Sequence, residues 1–573
     1  MRAFFIRTLG TVVLAATTLS AAPVVARESV AGAYLAARHA SFYSDYKAAA
    51  QYYAQALIRD PANPQLLESA LLSFTALGDV GKALVIARRM EQLELGNQAS
   101  DMLLLAEVLQ QEKFDAALQD IKDGRSIGPL VDGLLVAWAE FGQGRMTEAL
   151  AAFDAATNEP ALAVFGAYHK ALALAAAGDF EGARDLFGQG DGRAMRLTRR
   201  GVLAEIQVLS QLEENDTAIA VLDEVFGLDI DPGLMDLRAR LVAGDVIPFT
   251  TIRDGRDGAA EVFYTVAGAL KGEANDTYTL LYSRIAEYLR PAHVDALLLS
   301  ASLLESQEQY DLATATFLKV PAGDPGFYAA ELGRAETLEK AGRIEAAIEV
   351  MTQMSKTMAN IAIVHVTLGD MFSRQEQFAD ALKAYDKAVA LFDEPKRVQW
   401  VVYYARGIAN ERLGNWPEAE ADFRMALSLD PDQARVLNYL GYSYVEQKIN
   451  LDEALDMIER AAASRPDSGY IIDSLGWVYY RLGRFAEAVE PMERAVELLP
   501  VDPVVNDHLG DVLWAVGRRN EAQFQWKRAL SFIDFEDIPT DVDPDRIRRK
   551  LAVGLDKVLE EEGADPIPVA NGD

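Results

Sequence analysis

Hydrogen-bonding and aromatic side chains recur once per repeat in the last third of the chain. They stand three residues before, one residue after or four residues after a recurring glycine, and they are Asn438, Tyr442, Asp473, Trp477, Tyr480, Asp507, Asp511 and Trp514. On one helix face they would form a strip that follows an extended or helical peptide, because aromatic anchors edged by polar groups are typical of binding hot spots. The alternative is that the aromatic rings only complete the packing between helices.

Residues typical of catalysis or metal binding are not grouped in this sequence. Gly78–Lys82 has the glycines and lysine of a phosphate loop but lacks its spacing and the Ser or Thr after the lysine. The five histidines are scattered and never stand at metal-ligand spacing. The one basic cluster, Arg193 to Arg200, is expected to be a solvated helix end. The sequence therefore predicts no cofactor, no metal and no catalytic residue, and hence a protein that is not an enzyme.

Small residues recur with a period of 34 or 35 between residues 400 and 534. The pattern is carried by Gly407, Gly441, Gly476 and Gly510, by Ala419, Ala454, Ala488 and Ala522, and by Pro431, Pro466 and Pro500. This is the tetratricopeptide (TPR) pattern, in which small residues lie where two antiparallel helices touch and proline ends the second helix. It predicts an all-α superhelical solenoid whose concave groove, lined by the first helices, holds proteins or peptides.

The same template extends towards the N-terminus with declining regularity. It divides the chain into a signal peptide (1–26), a degenerate N-terminal arm (27–226), an irregular joint (227–258), middle units (259–398), the most regular units (399–534), an acidic linker with a capping helix (535–562) and a disordered tail (563–573). The joint contains Pro232 and Pro248 and is expected to hold a short helix at 233–242. A repeat distorted beyond recognition is the alternative for this segment.

Charge and composition exclude several classes of partner. Lys and Arg number 55 against 87 Asp and Glu, which gives a net charge of −32 over 573 residues. Such a surface repels nucleic acid and anionic lipid headgroups and favours a basic partner. Hydrophobic residues make up 50% of the chain, which is ample for a folded protein.

The N-terminus has the pattern of an export signal. Arg2 and Arg7 precede an apolar stretch from Leu9 to Leu19, and Val24-Val25-Ala26 places small residues at a cleavage site after Ala26. The chain has no cysteine and therefore no lipoprotein anchor. These features predict a periplasmic protein that contacts the membrane only through an uncleaved signal or through a partner.

Three stretches resemble a particular family. Asn438–Tyr442 and Asp473–Gly483, with His508–Trp514 after them, resemble the C-terminal repeats of exported bacterial tetratricopeptide proteins. The best-understood members of that family are outer-membrane lipoproteins that bind a periplasmic carboxyl-terminal processing protease, activate it and deliver cell-wall hydrolases to it. The resemblance implies a non-enzymatic adaptor for such a protease or its substrates, although the lipoprotein cysteine is missing here. The alternative is a chaperone-like component of envelope, polysaccharide or secretion machinery.

Overall fold

The structure is a computed structural model that describes residues 30–156, 162–188, 198–227, 231–534 and 542–564. Within these ranges the chain forms α-helices joined by short turns, one 3₁₀ turn at Arg397–Gln399, and no strand. The predicted signal peptide, most of the acidic linker and nearly all of the predicted tail lie outside the described residues.

The chain divides into two compact units, residues 1–347 and 348–573. The helices of the first unit are α1 (Val30–Phe42), α2 (Tyr46–Arg59), α3 (Pro64–Ala76), α4 (Val80–Gln92), α5 (Gln98–Gln110), α6 (Phe114–Lys122), α7 (Pro129–Gly142), α8 (Met146–Ala156), α9 (Ala163–Ala176), α10 (Phe180–Gly188), α11 (Arg199–Gln211), α12 (Asn215–Phe226), α13 (Pro232–Val242), α14 (Gly255–Leu270), α15 (Asp276–Leu289), α16 (Val294–Ser306), α17 (Tyr310–Phe317) and α18 (Phe327–Lys340).

The boundary between the units falls inside α19 (Ile344–Thr357). The helices of the second unit are α20 (Ala362–Arg374), α21 (Phe378–Ala390), α22 (Trp400–Arg412), α23 (Trp416–Leu429), α24 (Ala434–Gln447), α25 (Leu451–Ser464), α26 (Gly469–Arg481), α27 (Phe485–Leu498), α28 (Pro503–Ala515), α29 (Arg519–Phe532), α30 (Pro544–Val553) and α31 (Leu555–Glu561). This boundary does not coincide with the joint predicted at 227–258, and the domain limits read from the repeats stay predictions.

Consecutive helices pack as antiparallel pairs because small residues let them approach closely. A Cβ atom on Gly407 of α22 would lie 2.7 Å from the Phe423 ring of α23, and one on Gly476 of α26 would lie 2.6 Å from Met492 Cγ of α27. The alanines that recur on the second helices, such as Ala419 and Ala488, are fully buried. The repeated small residues are therefore positions of helix contact, as the pattern predicts.

The turn inside each pair requires a left-handed residue. Gly414 (φ +79°) and Gly483 (φ +75°) supply it without strain, since glycine has no Cβ. Glutamate takes the same place at Glu112, Glu308 and Glu376, with φ between +57° and +59°. In these three pairs the turn has the same geometry, but a glutamate in the left-handed conformation is less favourable there than glycine.

In the first unit, α14 and α15 pack back on earlier helices. Their contacts are with α3, α5, α7 and α9, which are the first helices of four successive pairs. The approach is closest at Gly258 of α14, where a Cβ atom would overlap the indole ring of Trp138 in α7. The side of these four pairs that their first helices form is therefore covered by α14 and α15.

A buried ionic cluster fixes α14 in this position. The Glu261 carboxylate accepts hydrogen bonds from Arg200 Nε at 2.6 Å and from the Tyr168 hydroxyl at 2.9 Å, and Arg200 also pairs with Asp295 at 3.0 Å. The prediction of a solvated helix end is thus wrong for Arg200, which lies in the interior because Glu261 and Asp295 compensate its charge. Arg193 and Arg196 lie outside the described residues.

Candidate partner-binding face

The eight predicted contact residues lie on three successive first helices of the second unit. Asn438 and Tyr442 are on α24, Asp473, Trp477 and Tyr480 on α26, and Asp507, Asp511 and Trp514 on α28. We define the first-helix face as the surface formed by α20, α22, α24, α26 and α28. Its helices are held side by side because their glycines and alanines pack against the second helices behind them.

Trp477 lies in a stack of rings on this face. Its indole is parallel to the Tyr480 ring at 4.8 Å and to the His508 imidazole at 4.0 Å, and its Nε1 donates a hydrogen bond of 2.7 Å to Glu446. The side chain is buried. Trp477 therefore contacts residues of three first helices, α24, α26 and α28. Its ring contributes to packing between helices, which was the alternative to partner binding.

His508 and Asp473 form a second link between α26 and α28. The Nδ1 atom of His508 lies 3.0 Å from Asp473 Oδ2. Burial by itself lowers the pKa of His508, but the attraction of the Asp473 carboxylate, together with Asp507 and Asp511, raises that pKa above its usual value. No sequence pattern indicates this pair, since 35 residues separate its members.

Asp507 and Asp511 hold a lysine from the C-terminal helices. The Nζ atom of Lys550 in α30 lies 2.8 Å from Asp507 Oδ2 and 2.7 Å from Asp511 Oδ1, and its side chain is 0% exposed. Asp511 Oδ1 also accepts a 2.9 Å hydrogen bond from Trp526 Nε1. Burial raises the pKa of Asp507, repulsion from Asp511 raises it further, and the ammonium of Lys550 opposes both.

Trp514 is engaged by α31. Its Nε1 donates a 3.1 Å hydrogen bond to Asp556, its ring lies against Gly554 at the start of that helix, and Arg519 is stacked over it at 5.0 Å. Helices α30 and α31 thus cover the α28 end of the first-helix face. A cap over the last repeat is what a helix stack needs to shield its apolar end.

The α24 part of the face has a different character. The Oδ1 atom of Asn438 is buried and has no hydrogen-bond partner in the described structure. Tyr442 on the same helix and Tyr404 on α22 are half-buried, the Tyr404 ring lies 5.7 Å from that of Tyr439, and Val401 of α22 is exposed. A buried amide oxygen without a partner costs about 1–3 kcal/mol, which a hydrogen-bond donor from a bound chain would recover.

The described residues contain neither a cluster of metal ligands nor a membrane-spanning helix. The 30–564 range, apart from its undescribed gaps, holds no group of three or more His, Cys, Asp or Glu placed to bind a metal ion. No helix among residues 30–564 that the structure describes could span a membrane.

Comparison with known proteins identifies the repeats. The family model of the tetratricopeptide repeat matches residues 366–434, 404–469 and 450–503. Together with the helix pairs, this match confirms the predicted fold class, an all-α TPR helix-turn-helix solenoid. Repeats of this kind indicate a scaffold for protein–protein interaction.

Two curated relatives match parts of the chain. The TPR repeat-containing protein PA4667 of Pseudomonas aeruginosa is 30% identical over 185 residues, which are 32% of this chain and 30% of that protein. The lipoprotein NlpI homolog of Haemophilus influenzae is 36% identical over 86 residues, which are 15% of this chain and 26% of that protein. The chain therefore covers less than a third of either relative.

Among solved structures, the Cut9–Hcn1 hetero-tetramer of the APC/C is similar over most of the chain. The match covers 92% of this chain and 97% of that one, with 14% identity and a TM-score of 0.36.

Proposed function

We propose that this protein is a non-enzymatic periplasmic scaffold that binds a carboxyl-terminal processing protease, its cell-wall hydrolase substrates, or both. The observation that carries the proposal is the α24 part of the first-helix face. There the Asn438 amide oxygen is buried without a hydrogen-bond partner among the described residues, and half-buried tyrosines stand one helical turn further along α24 (Tyr442) and on the preceding first helix (Tyr404). This combination of a polar group in need of a donor and amphipathic rings suits a peptide segment of a partner.

Some first helices in both units are covered by other helices of the chain, so they are left out of the proposed partner-binding site. In the first unit the first helices α3 to α9 are covered by α14 and α15, and in the second unit α28 is covered by α30 and α31. Asp507, Asp511 and Trp514 are therefore proposed to support the site, whereas Asn438, Tyr442 and the half-buried Tyr480 are proposed to contact the partner.

The periplasmic location and the protease partner rest on sequence. The export signal and the family resemblance support both, and the match to a lipoprotein NlpI homolog over 86 residues supports an envelope location.

The proposal is tested by affinity purification from an envelope extract with residues 27–573 as bait, which contain every described residue. We expect a processing protease or a wall hydrolase among the captured proteins. The double variant Asn438→Ala/Tyr442→Ala should reduce its recovery about 30-fold, since two hot-spot side chains contribute about 2 kcal/mol or more.

A matched control is Phe524→Ala. Phe524 is an exposed aromatic residue on α29, a second helix, and its loss should leave recovery unchanged. Capture of neither a protease nor a wall hydrolase would contradict the proposal. Capture of membrane export proteins instead would favour a chaperone-like role in envelope assembly.

A further inference from the structure

Helix α1 has an apolar and basic face that no described residue covers. Leu35, Arg38, His39 and Phe42 stand at positions i, i+3, i+4 and i+7 and therefore share one side of the helix. All four side chains are exposed, Leu35 to 64% and Phe42 to 81%. The opposite side of α1 is buried against α2, where Ala37 and Ala40 belong to the same core cluster as Ala49 and Tyr53.

The apolar side chains at the end of α1 are unusually exposed for this molecule. Phe42, the last residue of α1, is the most exposed large apolar side chain among the described residues. Tyr43, directly after α1, is exposed as well. Leu35 and Phe42 share one side of α1 and Tyr43 follows directly, and an exposed apolar patch of this kind marks a site of association.

Charge indicates what covers the face. Residues 30–59 contain three basic residues and one acidic residue, in a chain whose net charge is −32. Helix α1 itself contains Arg38 and His39 but no Asp or Glu. A second copy of α1 would bring two basic faces together, whereas an anionic surface is complementary. The acidic remainder of the chain is screened beyond about 8 Å at physiological salt.

We propose that this face of α1 docks on an anionic lipid surface. Leu35 and Phe42 would enter the boundary between headgroups and acyl chains, and Arg38 would pair with lipid phosphate. Two apolar side chains and one or two cations give weak, reversible binding. The uncharged run of residues 8–26 ends only three residues before α1, so that a retained signal would hold this face at the bilayer.

The inference rests on the envelope location proposed above but not on the partner of the first-helix face. Its test is co-sedimentation of residues 27–573 with vesicles, since this chain lacks the apolar run. We expect binding to vesicles of phosphatidylglycerol and phosphatidylcholine, and little binding to phosphatidylcholine alone. The variant Leu35→Asp/Phe42→Asp should weaken the partition about tenfold or more, because it removes apolar burial and adds negative charge.

The control variant is Val85→Asp. Val85 is exposed to 63% on α4, nearly as much as Leu35, and its replacement should leave partition unchanged. The proposal is overturned if wild-type protein does not sediment with the anionic vesicles, or if both variants sediment equally. A dimer in light scattering that Leu35→Asp/Phe42→Asp dissociates would also overturn it, in favour of a second copy on this face. Capture of a protease in the affinity experiment has no bearing on these outcomes.

Discussion

The ammonium of Lys550 lies 2.7 Å from the carboxylate of Asp511, although 39 residues separate them in the chain. This pair, with Asp507 beside it, attaches the C-terminal helices to the last repeat. A lysine with no exposed surface is stable only where carboxylates compensate its charge.

Removal of that lysine should destabilise the second unit. Lys550→Ala removes the cation closest to Asp507 and to the buried Asp511 and leaves only Arg546, 3.7 Å from Asp511, so we expect a loss of about 3 kcal/mol in the free energy of unfolding. Tryptophan fluorescence in a denaturant titration measures it, because five of the six tryptophans lie beyond residue 347. The control Lys557→Ala, whose side chain is 48% exposed, should change stability by less than about 0.5 kcal/mol. A loss below about 1 kcal/mol for Lys550→Ala would show that the carboxylates are not held in the interior.

The His508–Asp473 pair should make the second unit less stable as pH rises. The pKa of His508 is raised in the folded state, so its contribution is fully present below the unfolded value of about 6.5 and is lost as pH rises through the folded value. Denaturant titrations at a series of pH values around neutrality measure this slope. His508→Gln should flatten it, since glutamine keeps a hydrogen-bond donor but does not titrate. An unchanged slope in His508→Gln would assign the pH dependence to other groups.

Two glycines of α14 should respond in opposite ways to alanine. At Gly258 a Cβ atom overlaps the Trp138 indole, so Gly258→Ala should destabilise the first unit by about 1–3 kcal/mol. At Gly268 the added Cβ meets nothing within 4 Å, so Gly268→Ala should stabilise α14 by about 0.5–1 kcal/mol. Hydrogen exchange of the α7 and α14 amides measures both effects. Equal effects at the two positions would contradict the packing of α14 on α7.

A glutamate in a left-handed turn should be improved by glycine. Glu376 between α20 and α21 has φ +57°, and Glu376→Gly should stabilise the second unit by about 1 kcal/mol because it relieves that strain. The neighbouring Gln375 has φ −94°, and Gln375→Gly should instead destabilise by about 0.5–1 kcal/mol through the added freedom of the unfolded chain. Denaturant titration of the two variants compares them directly. A loss of stability in Glu376→Gly would mean that its side chain makes contacts worth more than the strain.

The repeats could be predicted from the sequence because their determinants are local. A glycine or alanine at each helix crossing, such as Gly407 or Ala419, repeats with the unit, and the same residue types meet in every pair. The helices, their pairing and the positions of the predicted strip on successive first helices follow from that period.

The surfaces that remain available could not be predicted, because they depend on contacts between residues far apart in the chain. Trp138 meets Gly258, Arg200 meets Glu261, and Lys550 meets Asp507 and Asp511 only in the folded molecule. Ionic and packing contacts of this kind have no period, and a charged residue that pairs in the interior has the same letter as one in solvent. The sequence thus determined the helix pairs and the class of function, whereas the tertiary structure decided which first helices are covered by α14, α15, α30 and α31.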